Sequence, residues 1–474
     1  MTHLDRDELD EVVHGLFPGS AVDLRGTVVG RDLLERILAA THARMGRARF
    51  DLASFPEDAR FGDVVFDGDV SFDQARFQRL ASFVGARFAG NVSFREVRFA
   101  RELSLHGVTV TGHAAFDRVS VGRDALFGEA RFGRTVSFEA AEFHDFATFD
   151  GARFDGDATF RGCRFSRAVS FRKAEFGGLA GFEATRFWAG GYLAPVTVGR
   201  RLSLAGAWAG NGLDLTARDC PVDLRQVRVT GRLSVRLDCA TADLEGATLR
   251  GPATVSGNGT ARVTSLRGVD AEALELSAVD LSVCRFTGIR TPERLRLTGC
   301  LFATTPRGVR FAPHWPPLRW WTPRRTLADE HAWRGWSRPE TDGTALQPLP
   351  RTTSQPAPRQ ASQPASQSAP QPTPHRLAHL YARLRAGVDD KATAADFAFG
   401  AMEMRRATSR SSGRWLLSLH WILSGYGLRM GRVLGWFVLL AAITAGSLLM
   451  GSTSHAARRS TAPRPPSAPI QISP

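Results

Sequence analysis

The sequence predicts an all-β solenoid, on three observations. From Phe50 to Phe187 a large apolar residue returns at alternating spacings of five and six, beginning Phe50, Phe55, Phe61, Phe66, Phe72, Phe77 and Phe83. Two positions before nearly every one sits a small or β-branched residue, as at Ala48, Ala53, Ala59, Val64 and Val70. Turn-type pairs such as Asp67-Gly68, Asp155-Gly156 and Gly177-Gly178 separate these inward pairs, too often for strands of ordinary length.

The two-residue offset puts each ring and its small companion on one side of an extended segment, because strand side chains alternate. A helix cannot do this, since positions five and six apart do not share a face at 3.6 residues per turn. A coil of two five-residue and two six-residue sides, about 22 residues per turn, satisfies every constraint. That step lines up Phe50, Phe72, Phe94, Phe116, Phe138, Phe160 and Phe182 as one ladder. A second reads Phe55, Phe77, Phe99, Val121, Phe143, Phe165 and Phe187. Neighbouring turns are expected ~4.8 Å apart with parallel pairing.

The run Ala152-Arg153-Phe154, Ala158-Thr159-Phe160, Cys163-Arg164-Phe165, Val169-Ser170-Phe171 resembles the pentapeptide-repeat family in a phenylalanine-centred variant. The resemblance implies a right-handed quadrilateral β-helix whose interior is filled by the central ring and the small residue before it. It covers 48–187 in regular form and 188–302 in degenerate form, through Leu193, Leu204, Leu215, Leu224, Val235, Leu249, Leu276, Phe286 and Phe302.

Residues 1–47 form the amino-terminal region. Thr2 to Val13 is acidic and broken, with no secretory signal in it. Within Arg31–Ala40, Leu34, Ile37 and Leu38 share a helical face with Met45 beyond it, and the stretch reads as a helical cap on the first turn. Cys163, Cys284 and Cys300 occupy the small inward slot before Phe165, Phe286 and Phe302. Five cysteines without CxxC spacing argue against a disulfide framework or a zinc site and fit a reducing compartment.

Residues 303–340 bring Trp315, Trp320, Trp321, Trp333 and Trp336 among Arg319, Arg324, Arg325, Arg334 and Arg338. Base stacking, a lipid headgroup region and a lid on the last turn all suit that mixture. Residues 341–375, rich in Pro, Gln, Ser and Thr, read as a disordered tether separating two functional parts. Residues 376–412 read as helical, with Leu377, Leu380, Tyr381 and Leu384 in one stripe, a break at Asp389-Asp390-Lys391, and Phe397, Met402 and Met404 as packing residues.

Residues 413–432 suit an interfacial helix, and 433–451 a single transmembrane helix near the shortest useful length. Residues 452–474 read as a disordered tail. Arg405, Arg406, Arg410, Arg414, Arg429 and Arg432 before the span, against Arg458, Arg459 and Arg464 after it, place the bulk of the chain in the cytoplasm. Ala-Ala-Asp-Phe at 394–397, Met-Glu-Met-Arg-Arg at 402–406 and Ser-Gly-Tyr-Gly at 424–427 resemble a bacterial membrane-associated subgroup of the same family.

No catalytic, cofactor-binding or metal-ligating constellation emerges. His106, His113 and His144 stand isolated, and Gly257-Asn-Gly-Thr-Ala-Arg262 lacks the third glycine and following helix of a dinucleotide site. The net charge of +14 favours an anionic membrane surface. The expected function is a non-enzymatic, membrane-anchored scaffold meeting a protein partner, with a homo-oligomer left open and nucleic acid disfavoured. Two alternatives remain: a DNA-mimic decoy of an enzyme such as a topoisomerase, for which the required acidic surface is lacking, and a regulatory domain of a membrane channel or transport assembly.

Overall fold

A computed structural model of the chain describes residues 13–306, 309–311, 318–320, 323–336, 372–409, 411–424, 426 and 434–447. The expectations for residues 1–12, for the tether through residue 371 and for the tail lie outside them.

The chain winds into a β-solenoid of about 13 turns. Its first wall is a 12-stranded parallel sheet running from Val22–Asp23 through Ala48–Arg49 and Val70–Ser71 to Arg262–Ser265. The second wall begins at Ser54–Phe55, the third at Ala59–Arg60 and the fourth at Arg44–Met45. Ala48 pairs with Val70, Phe55 with Phe77 and Ala59 with Ala81, each 22 residues on. The first corner turns through a left-handed residue in successive turns, Leu52, Gln74 and Glu96 at φ of 59°, 60° and 59°. This explains why turn-type residues recur so often.

Rings from Phe50 to Phe182 stack in one column, with successive centroids 4.7, 4.9, 5.0, 4.7, 4.9 and 4.8 Å apart and nearly parallel planes. The other columns break in one turn, at Leu105, Val110 and Val121, all buried. There the companion slots hold Leu103, Val108 and Val119 where most other turns carry alanine, which restores the lost volume.

Beyond residue 202 the period shortens. Leu202 pairs with Val222 and Leu213 with Leu233, a step of 20 residues rather than 22. The expected 22-residue turn therefore does not extend through the degenerate part. The corner between the third and fourth walls straightens, and Gly191–Val198 already pairs with both walls of the turn before. Smaller aliphatic side chains need less circumference.

Helix α1 (Arg31–Ala40) stands in place of a strand in the first turn and buries Leu34 and Ile37. At the other end lie α2 (Ala328–Arg334), α3 (Pro374–Leu384), α4 (Lys391–Thr408) and α5 (Ser411–Ser424). The reading of 376–412 as a part set off by a tether is corrected here, because α3 and α4 pack on the last turn. Leu297 bridges Val388, and Phe302 meets Phe397 edge-on at 5.1 Å. Gly387 permits this approach, since a Cβ there would lie 1.9 Å from the Leu295 carbonyl oxygen.

The transmembrane helix is also corrected. Among the described residues no helix is long and apolar enough to cross a membrane. The expected span is helical over 434–447, 14 residues or about 21 Å against a hydrocarbon core of about 30 Å. Residues 433 and 448–451 lie outside the described set.

Candidate interaction surfaces and the terminal cap

Outward side chains on each wall form columns with one member per turn. On the first wall a shallow trough of about 870 Å³ runs along the axis between a column containing Asp69, Asn91, His113, Thr135 and Asp157 and a row of corner residues. Its floor is small: Ser71, Ser93, Ala115, Ser137 and Thr159. Ser71 donates to Asp51, Ser93 to Asp73 and Ser137 to Asp117, so each corner carboxylate accepts from the turn after it. These rungs tie turn to turn and hold no histidine.

The three histidines stay apart. His113 meets Thr135 Oγ1 at 2.6 Å on the first wall. His144 lies 3.3 Å from Ser120 Oγ and 4.0 Å from Glu142 near the second wall. His106 sits at a different corner, beside Gly128. Gly257 ends a strand, and the strand Arg262–Ser265 follows, with no helix. Among the described residues no three His, Cys, Asp or Glu side chains are grouped to hold a metal ion. Cys163 and Cys284 are buried, and burial pushes both thiols far above their ordinary range. Cys300 is half-buried and pushed up to about 11.

The second wall carries a column Arg76, Arg98, Ser120, Glu142, Arg164, Arg186, Trp208 and Arg228. Trp188, at the corner beside Trp208, is 53% exposed, and the two rings meet edge-on at 4.7 Å. Sequence reading missed this pair. The two are 20 residues apart where the period is changing, and only a register that already counts the shorter turn brings them together.

The last turn is closed by polar groups. Phe286 ends the column begun at Phe50, and its amide N–H has no further turn to donate to. Asp329 Oδ2 accepts that bond at 2.7 Å, and Asp329 also takes the Thr287 hydroxyl. The carboxylate thus stands where the next strand's carbonyl would be. Behind it Arg324 donates to both oxygens of Glu330, at 2.6 and 2.8 Å, and to Glu403 at 3.0 Å. Arg334 donates to Glu330 at 2.6 Å with its guanidinium over Trp336, and Tyr381 donates to Glu330 at 2.5 Å. Arg324 and Glu330 are completely buried.

Burial opposes the charge on Glu330, but Arg324 and Arg334 outweigh it and hold the carboxyl below its usual range. Burial and the same carboxylate push the Tyr381 hydroxyl well up. Of the three readings of the Trp/Arg segment, the lid describes Arg324, Trp333, Arg334 and Trp336. The side chains of Trp315, Trp320, Trp321 and Arg338 lie outside the described residues. Asp390 caps α4 by accepting from the amides of Ala392 and Thr393, which is the physical content of the expected break.

A family model described as pentapeptide repeats (9 copies) matches residues 72–120 and 116–164, which fall in the regular turns. No curated protein matches the chain. A family match centred on the regular turns, with the parallel four-walled coil and its inward rings, leads to one identification: the chain is a pentapeptide-repeat β-solenoid protein, built on a generally non-enzymatic interaction fold.

Proposed function

We propose that this chain is a non-enzymatic scaffold that offers its solenoid walls to a protein partner while its carboxy-terminal helices rest on a membrane surface. The observation carrying the membrane part is the helix at 434–447. Every residue in it is exposed, and Leu434, Phe437, Val438, Leu440 and Ile443 each expose more than half of their surface. In α5, Trp415 and Leu416 are each 71% exposed. Apolar area of that kind is covered by lipid or by protein. Arg405 and Arg406 close α4 just before it, where anionic headgroups would attract them. This agrees with the membrane-associated bacterial subgroup that the motifs of this region resemble. The closed interior and the paired corners leave the outer walls for recognition, as in other solenoids. The decoy reading gains no support from the arginines of the second wall, since mimicry of DNA needs a negative surface.

Flotation of the purified full chain with anionic and neutral vesicles tests the membrane part. The chain is expected to float with anionic vesicles and to lose this when residues from Ser411 onward are deleted. Equal recovery of both forms in the lipid-free fraction would overturn it.

A further inference from the structure

The second wall singles out one place for the partner. Along its column Arg164 is engaged by Glu142 at 2.6 Å, and further on Arg250 is engaged by Asp270 at 3.2 Å. Between these two pairs the column reads Arg186, Trp208, Arg228, in direct register. Arg186 and Arg228 are exposed and have no ion pair among the described residues. Trp208 lies between them, with Trp188 packed against its edge.

The collar around the two rings is small: Ala189, Gly190, Gly210 and Asn211. It cannot readily be otherwise at Gly210, where a Cβ would lie 2.4 Å from the Trp188 carbonyl oxygen and 3.0 Å from the Trp208 ring. The pair therefore stands as an apolar ridge on a flat floor, bracketed by two cations without counter-ions. Tyr192, on the adjoining wall and 41% exposed, extends the aromatic surface, with Arg172 over its ring at 5.6 Å and Asp214 beside it in the sheet.

We infer that this ridge is the docking point for a partner protein, which meets it with an apolar pocket or side chain flanked by carboxylates. The inference rests on the scaffold reading above and names where and by what chemistry the partner binds. Tryptophan and arginine dominate the energetic centres of protein interfaces, and flat walls suit them. Two unpaired arginines on either side of the rings are complementary to acids at the matching spacing. Single-stranded nucleic acid fits less well, because bases stack on open parallel faces, whereas these rings lie 66° apart and close on each other.

The test places benzoylphenylalanine at Ala189 in the full chain, irradiates cells, and sequences the attached peptide. The expected product is a single protein adduct whose peptide carries Asp or Glu beside an apolar residue. Arg186→Glu with Arg228→Glu is expected to reduce its yield about tenfold, and reversing the peptide's acids to Lys to restore it. Trp208→Ala is expected to abolish it with the chain still folded by thermal melting. An adduct digested by nuclease, or one indifferent to charge reversal, overturns the proposal. The same probe at Arg87, on the fourth wall, separates the two readings. A protein adduct there with none at Ala189 removes this docking point and leaves the scaffold, whereas none at either removes both.

Discussion

Phe138 lies between Phe116 and Phe160, with ring centroids at 4.7 and 4.9 Å, and has no exposed surface. Phe138→Ala is expected to cost about 3–5 kcal/mol, as buried aromatic truncations do, because a ring-sized gap inside a closed tube cannot collapse. Arg131, exposed on the fourth wall, is expected to cost under about 0.5 kcal/mol when replaced by alanine. Chemical denaturation of both variants checks the pair, and equal losses would contradict the inward assignment of the rings. Residues of this kind were legible in advance because one rule, a ring two places after a small residue, decides each of them. Asp329 was not legible. Nothing near it in the sequence says that a carboxylate will stand in for a missing strand, since its partners Phe286 and Thr287 are more than 40 residues away.

At the level of elements the closing group of helices carries the pH dependence. The Glu330 carboxyl is held low by Arg324 and Arg334, so its contribution is fully present above the ordinary glutamate value of about 4.3. It is lost as the pH falls through the lowered folded value. Acid titration of the full chain, followed by helical circular dichroism, is expected to show α3 and α4 melting before the β signal. Glu330→Gln is expected to cost roughly 3–5 kcal/mol at neutral pH, as breaking a buried pair does, and to flatten that acid dependence. Periodicity could place these helices, because Leu377, Tyr381, Leu384, Phe397 and Met404 are buried apolar positions. It could not show that Arg324, Glu330 and Glu403 are buried with them. Charged residues in a list of residues look solvated, and only their mutual pairing makes burial affordable.

For the whole molecule, the stretch 337–371 joins two halves of one closing structure, because Arg324 and Glu330 precede it while Tyr381 and Glu403 follow it. A protease site inserted near residue 355 is therefore expected to yield two fragments that co-elute on gel filtration at neutral pH and separate in denaturant. Independent elution at neutral pH would restore the picture of a tether between separate parts. Composition read that stretch as a boundary because it cannot supply a core. What it could not reveal is that the chain returns to the same place afterwards.

The carboxylate and helices that finish the last turn also set an order of events during synthesis. When Trp336 has left the ribosome, 72 residues remain before Thr408, the end of α4, is made. At about 5–20 residues per second that interval is roughly 4–14 seconds. Throughout it, α3 and α4 are not yet there to cover the carbonyl row at Leu295–Thr298, and a bare strand of this kind invites pairing with a neighbouring nascent chain. The proline-rich stretch therefore acts as a delay as well as a connection, and its length governs how long each newborn molecule must avoid its siblings on the same messenger.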